Sequence, residues 1–137
     1  MTVERIWPET VYVRRLNNLE GNVYAQTVTS TGSRHIHVAG TLPFDREQQL
    51  VGEGDVGAQT RCVLENIRLS LAAARATPQD VVRSKTYVVD MKDYLANGIP
   101  EWVKFFEGEP PTSTTVGVTE LADPRALVEI EVYADLD

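Results

Sequence analysis

Apolar and polar positions alternate most cleanly near the C-terminus, where Ala126, Val128, Ile130, Val132 and Ala134 interleave with Leu127, Glu129, Glu131 and Tyr133. A period of two is that of a half-buried strand. One face is core. The other carries two carboxylates at i and i+2, which point the same way and repel each other. Residues 112–134 are expected as two strands joined by the polar Asp123-Pro124 connection.

The period changes upstream. Val56, Thr60, Val63, Ile67, Leu71 and Ala74 recur at intervals of three and four, an amphipathic helix with Asp55 as its N-cap. Thr77-Pro78-Gln79-Asp80 combines a cap, a proline at the first helical position and a following acid, which predicts one helical turn before a strand over 83–89. Asp90 caps a second helix running through Trp102, Phe105 and Phe106 to Gly108. Pro100 sits inside it, preceded by Asn97-Gly98-Ile99, and predicts a kink or two shorter helices.

Toward the N-terminus, residues 1–9 show no period and are expected as an extended lead-in, followed by a short β-rich run over 10–14. Strands over 23–29 and 35–39 flank the turn Thr31-Gly32-Ser33 and are expected to pair as a hairpin. Three strands, a helix, a strand, a helix and two strands indicate an α+β chain with both helices on one face of a single mixed sheet. Residues 38–89 then form a right-handed crossover between parallel strands. The uncovered face is expected to carry Tyr24, Gln26, Tyr87 and Tyr133, and to be closed by association into a symmetric oligomer.

Length, charge and cysteine usage narrow the class. The 137 residues fit a single domain. A net charge of −7, with no basic run longer than Arg14-Arg15, argues against nucleic acid as partner. No apolar run reaches the ~20 residues of a membrane span, and no N-terminal segment reads as a signal peptide. The single cysteine, Cys62, falls in the helical pattern as a small hydrophobe and fits a reducing cytoplasm. His35 and His37 share a strand face but lack further ligands at zinc spacing, so no metal is expected. Trp7 and Trp102 read as packing residues rather than ligand platforms.

Five segments in fixed order carry a resemblance: VYAQ (23–26), VAGTLPFD (38–45), AQTRCVLENI (58–67), DVVRSKTYVVDMKDY (80–94) and LVEIEVYA (127–134). Over roughly residues 21–135 the chain resembles the YjgF/RidA family, also called the reactive intermediate deaminase or L-PSP family. The resemblance implies a chorismate-mutase-like protomer in a homotrimer whose sheets form a central barrel, with a cleft at each subunit interface. It implies no cofactor. In the deaminase branch each cleft hydrolyses an amino-acid-derived enamine or imine to ammonia and a 2-oxo acid. By position, Glu129 is the glutamate that handles water, Tyr24 the tyrosine that closes the pocket, Gly40 the glycine whose backbone approaches the ligand, and Thr115 supplies a main-chain N–H.

One departure is central. The family pattern Pro, any residue, Arg, Ser or Thr, any residue, Val appears as Pro111-Thr112-Ser113-Thr114-Thr115-Val116, so Ser113 stands where an arginine grips the substrate carboxylate. A hydroxyl cannot supply the bidentate fork of a guanidinium. Asn97 is displaced in register, and Ala39-Gly40-Thr41 replaces Ser-Gly-Gln. Arg34, Arg83 and Arg125 are candidate replacement cations, Arg125 foremost because it leads into the strand of Glu129. Two readings follow. One is a hydrolase or deaminase of altered specificity for a small imine or enamine, using Glu129 with Ser113, Thr114 and Thr115. The other is a trimer that binds a small metabolite without turnover, in a regulatory role. Ribonuclease activity is disfavoured by the acidic charge and the absence of a basic stripe.

Overall fold

A computed structural model describes residues 3–14 and 22–137. In chain order the strands are β1 (Val3–Ile6), β2 (Thr27–Ser30), β3 (Arg34–Thr41), β4 (Val81–Val88), β5 (Thr112–Gly117) and β6 (Val128–Leu136). The helices are α1 (Val56–Ala73), α2 (Met91–Asp93) and α3 (Ile99–Phe106). A π-helical turn, Tyr94–Gly98, joins the last two.

The main sheet has the order β3-β6-β4-β5. β6 runs antiparallel to both β3 and β4, which are therefore parallel to each other, as the segment 38–89 predicts. β5 adds to β4 in parallel, making the sheet mixed. α1 packs on β3 and β6, and α3 packs on α1. The alternation in β6 is realised: Val128, Ile130, Val132 and Ala134 are buried, and Glu129, Glu131 and Tyr133 lie on the opposite face. Burial of the first set against Ile67, Leu71, Trp102 and Phe106 forms the core.

Local signals fix the helix ends. Asp55 Oδ1 accepts the Ala58 N–H at 3.0 Å, the cap expected of it. Asp80 Oδ2 accepts the Thr77 N–H at 2.8 Å, closing the capping box. The π turn is the answer to Pro100. The Ile99 N–H bonds five residues back to Tyr94 O, so one extra residue is absorbed where Pro100 has no donor to continue the α pattern. Gly98 permits this, because a Cβ there would overlap the Tyr94 ring.

The N-terminal third differs from expectation. β2 does not pair with β3. It pairs instead with β1, from Val3↔Ser30 to Ile6↔Thr27, inside the segment expected to be a lead-in. A tight turn reverses the chain but does not choose the partner. β3 places Ile36 and Val38 opposite Ala134 and Val132 of β6, the pairing that continues the helix-covered face. Residues 10–14 form no regular element, and Arg15 of the Arg14-Arg15 pair lies outside the described residues. Among the described residues no helix is long and apolar enough to cross a membrane.

Candidate functional site

The expected site residues fall into two groups on opposite faces of the main sheet. Strand alternation divides them, beginning with Ser113, Thr114 and Thr115. Ser113 and Thr115 are registered beside Ser84 and Thr86, whose side chains are buried on the helix side. Thr114 is registered beside Lys85 and faces the other way, accepting a bond from Arg83 Nη2 at 3.3 Å. Three successive hydroxyls on a strand cannot line one wall.

Tyr24 joins Ser113 on the helix side. The run 23–26 was expected as strand, but its polar groups are taken by partners outside any ladder. Trp102 Nε1 donates to Val23 O at 2.9 Å, and Trp7 Nε1 donates to Tyr24 O at 2.7 Å. Ala25 N donates to Pro111 O at 2.9 Å, laying the run beside the start of β5. Both indoles thus position the segment that presents Tyr24, a use of tryptophan as donor that packing alone did not foretell. Tyr24 consequently lies away from the bare sheet face on which it was expected, while Gln26 borders the pocket shared with Arg83 and Thr112.

Two adjoining pockets open here. One, of about 330 Å³, is lined by Val23, Met91, Leu95, Ile99 and Trp102, with Ser113 and Thr115 at its strand wall. The other, of about 350 Å³, is lined by Gln26, Arg83, Thr112 and Ser113. Tyr24 and Arg14 border both. The Arg14 N–H donates to Tyr24 Oη at 2.9 Å, tying the two residues together. Burial drives the Tyr94 hydroxyl well above the usual phenol range, so it stays protonated in the pocket wall.

Of the three arginines expected near Ser113, one lies there. Arg83 lines the polar pocket. Arg34 Nη2 donates to Ala74 O at 2.9 Å. Arg125 grips Asp123 through Nε at 3.0 Å and Nη2 at 2.8 Å, which draws that carboxyl down to about 2. Arg125 lines neither pocket; it is an intraloop pair ahead of β6. Arg14 was read only as half of a short basic run. Nothing in its sequence neighbourhood marks it, because its placement depends on the long-range anchoring of residues 23–26. Asn97 is exposed, donates to Asp93 Oδ1 at 2.7 Å and lines neither pocket.

The second group occupies the face bare of helices. Between Val38 and Thr41 the register of β3 against β6 slips, a bulge that brings the backbone of Gly40 under Glu129. A Cβ at Gly40 would overlap the Glu129 carboxylate, so only glycine leaves that carboxylate its seat. Glu129 is registered opposite Tyr87. Glu131 accepts Tyr87 Oη and Tyr133 Oη, each at 2.6 Å. These bonds, Tyr133's first, hold its carboxyl below the usual range and push the Tyr87 hydroxyl up to about 12. Glu131 is therefore an ionised anchor for two phenols.

The remaining candidates have local partners. His35 Nδ1 lies 2.7 Å from Asp135 Oδ1, and His37 packs edge-on to Tyr133 at 5.3 Å between ring centroids. Among the described residues no group of three His, Cys, Asp or Glu gathers at metal-binding range. Burial raises the Cys62 thiol, whose Sγ lies 3.6 Å from Phe44 O, which suits a packing residue rather than a thiolate nucleophile. Sequence reasoning also passed over Gln59. It is fully buried with its amide satisfied by Gly52 O, Arg125 O and the Leu127 N–H, at 3.1, 3.0 and 2.7 Å. This clamp sets where β6 begins and hence where Glu129 falls.

Comparison with known proteins agrees with this architecture. The profile of the Endoribonuclease L-PSP family matches residues 17–136. The crystal structure of YyfB, a conserved Rid family protein from Yersinia pestis, is 35% identical over 99% of this chain and 100% of its own, with a TM-score of 0.85. A Mycobacterium tuberculosis member of the YjgF/YER057c/UK114 family is 34% identical, covering 82% of this chain and 86% of its own, with a TM-score of 0.65. YyfA, also of the Rid family and from Yersinia pestis, is 25% identical over 98% of this chain and 100% of its own, with a TM-score of 0.68.

Proposed function

The chain belongs to the RidA/YjgF/L-PSP family, and from that premise we propose that it is a RidA-like hydrolase acting on the C=N bond of a small imine or enamine. Its recognition of substrate does not use an arginine at position 113, where this chain has serine. The cleft is completed between copies in a homotrimer. One copy contributes Tyr24, Ser113 and Thr115, and the next contributes Glu129 above Gly40. Support for the shared cleft comes from the sheet itself: the two groups lie on opposite faces, with β4 between β5 and β6, so a single chain does not join them.

The observation that carries the reading is the seat of Glu129. Its carboxylate sits against the Gly40 backbone in the space a Cβ would take, and Glu129 is only partly buried on the face bare of helices. There Glu129 takes a proton from water as the water oxygen attacks the imine carbon. It returns that proton to nitrogen, giving the tetrahedral carbinolamine, and then relays the hydroxyl proton to the amine, so that the carbonyl forms as the C–N bond breaks and ammonia leaves. Glu129→Gln removes the proton acceptor while keeping size and hydrogen bonding. Turnover of a panel of imines and enamines should fall by about two orders of magnitude, measured as ammonia release from the purified protein. Identical rates in the two proteins would defeat the catalytic reading.

A second reading, a non-catalytic metabolite-binding trimer with a regulatory role, is favoured by Ser113 in place of the gripping arginine. A ligand raises the melting temperature by mass action whether or not it reacts. Thermal shift without ammonia release would select this reading.

A further inference from the structure

The two pockets at Ser113 share a rim and differ in chemistry. The wall of one is Met91, Leu95, Ile99 and Trp102. The other is lined by Arg14 and Arg83 together with Thr112 and Ser113. Among the described residues, none lining either pocket is acidic. In a chain with 20 acidic and 13 basic residues, two arginines without a carboxylate in their own cavity stand out.

Several other arginines have close partners. Arg5 donates to Pro110 O and Gln79 O, Arg61 meets Glu101, Arg68 meets Glu65, and Arg125 meets Asp123. Arg83 spends one donor on Thr114 Oγ1 and helps hold Glu131 ionised from a distance, which leaves further N–H groups for a ligand. Arg14 is exposed at the mouth shared by both pockets, on the residue whose N–H holds the Tyr24 hydroxyl.

We infer that this cleft selects an organic anion with an extended apolar body, the anionic group held at Arg14 with Arg83 and the body laid along the partly exposed Val23, Met91 and Leu95. The inference rests on the proposed cleft being a small-molecule site, and it is independent of turnover. Ser113 leaves the strand wall uncharged, and Arg14 supplies the cation from the segment ahead of Tyr24. Moving the cation from the strand to the rim frees the apolar pocket for the rest of the ligand. A compact anion then reaches only the polar half, and a neutral apolar molecule only the other. Planar, bidentate contact makes arginine the effective group here, and lysine is a poor substitute.

Three probes separate the contributions: 4-phenylbutanoate carries both parts, acetate the anion alone, and 4-phenyl-1-butanol the apolar body alone. Titration calorimetry on the full chain is expected to show 4-phenylbutanoate binding at least tenfold more tightly than either other probe. Arg14→Gln should weaken it tenfold or more, with Arg14→Lys intermediate. Because Arg14 is exposed, an unchanged melting temperature identifies these variants as folded. Equal affinity for 4-phenylbutanoate and the alcohol, or an Arg14→Gln protein that binds as wild type does, would overturn the inference. Glu129→Gln should keep the probe's affinity, so unchanged turnover in Glu129→Gln with retained, Arg14-dependent binding strikes the hydrolase reading alone. Retained Glu129-dependent turnover with no effect of Arg14→Gln strikes this inference alone.

Discussion

The two faces of the main sheet hold their candidate side chains by different physics. On the helix side, the pocket at Ser113 is framed by groups fixed through burial: Trp102 is 1% exposed, rests 4.6 Å from the Phe106 ring and spends its only donor on Val23 O. On the bare side, Glu131, Tyr87 and Tyr133 are held by hydrogen bonds among ionisable groups, with Lys85 over the Tyr87 ring at 5.3 Å. The first arrangement is stable because apolar area leaves water, and pH scarcely touches it. The second depends on protonation states and on what covers the face. A cleft drawn from both, as proposed, would combine a rigid wall with an adjustable one.

The largest effect should come from the rigid side. Trp102→Ala removes a fully buried ring and a backbone anchor at once, and should lower unfolding free energy by about 3–5 kcal/mol in urea titrations. A loss below ~1 kcal/mol would mean that the helix-side wall is not fixed by packing.

The next test asks whether the two faces meet between copies. Glu129→Gln disables the contribution of the bare face, and Thr115→Trp fills the helix-side pocket. Each alone should be nearly inactive. Unfolded together and refolded as an equal mixture, they should recover about a quarter of wild-type ammonia release, because a cleft drawing one half from each of two copies is intact with that frequency. No recovery, with mixed oligomers present by mass spectrometry, would show that the two halves do not meet across an interface.

A smaller effect is expected at Gly40. Its Cβ would displace the end of a flexible glutamate rather than backbone, so Gly40→Ala should cost under about 1 kcal/mol of stability. Turnover should fall about tenfold through misplacement of the carboxylate. A turnover loss matched by an equal stability loss would reduce Gly40 to a folding residue.

These contrasts track what was legible in the sequence. β6 and α1 were readable because their periods are long and their caps local; Asp55 and the alternation from Val128 to Ala134 needed no partner to be recognised. β2 was misassigned because its partner, Val3–Ile6, is distant in sequence and has no periodic pattern of its own. The site divides likewise. Glu129 and Gly40 were named in advance, but that a bulge in β3 brings them into contact depends on register. Arg14 escaped notice because its position follows from two indole hydrogen bonds and from Ala25 N to Pro111 O, none visible in local composition. Arg125 misled for the converse reason, since Asp123 two residues earlier holds it locally.

The finest test probes the adjustable face by pH. Glu131 has a folded pKa below its ordinary value, so its contribution is present above the usual carboxylate range and is lost as pH falls through it. Tyr87 has the opposite sign. Raised from 10.0 to about 12, it contributes stability below pH 10 that is lost as pH climbs toward 12. The cluster should therefore be intact between those limits and loosen at both ends. Glu131→Gln removes the charge that holds both phenols protonated, so in an alkaline absorbance titration Tyr87 should ionise near the ordinary value of about 10, with Tyr133 also earlier. Tyr87→Phe identifies which late transition belongs to which ring. If Glu131→Gln leaves the late transitions unmoved, the raised hydroxyls owe their position to burial instead, and the two faces of the sheet differ less than their hydrogen bonds imply.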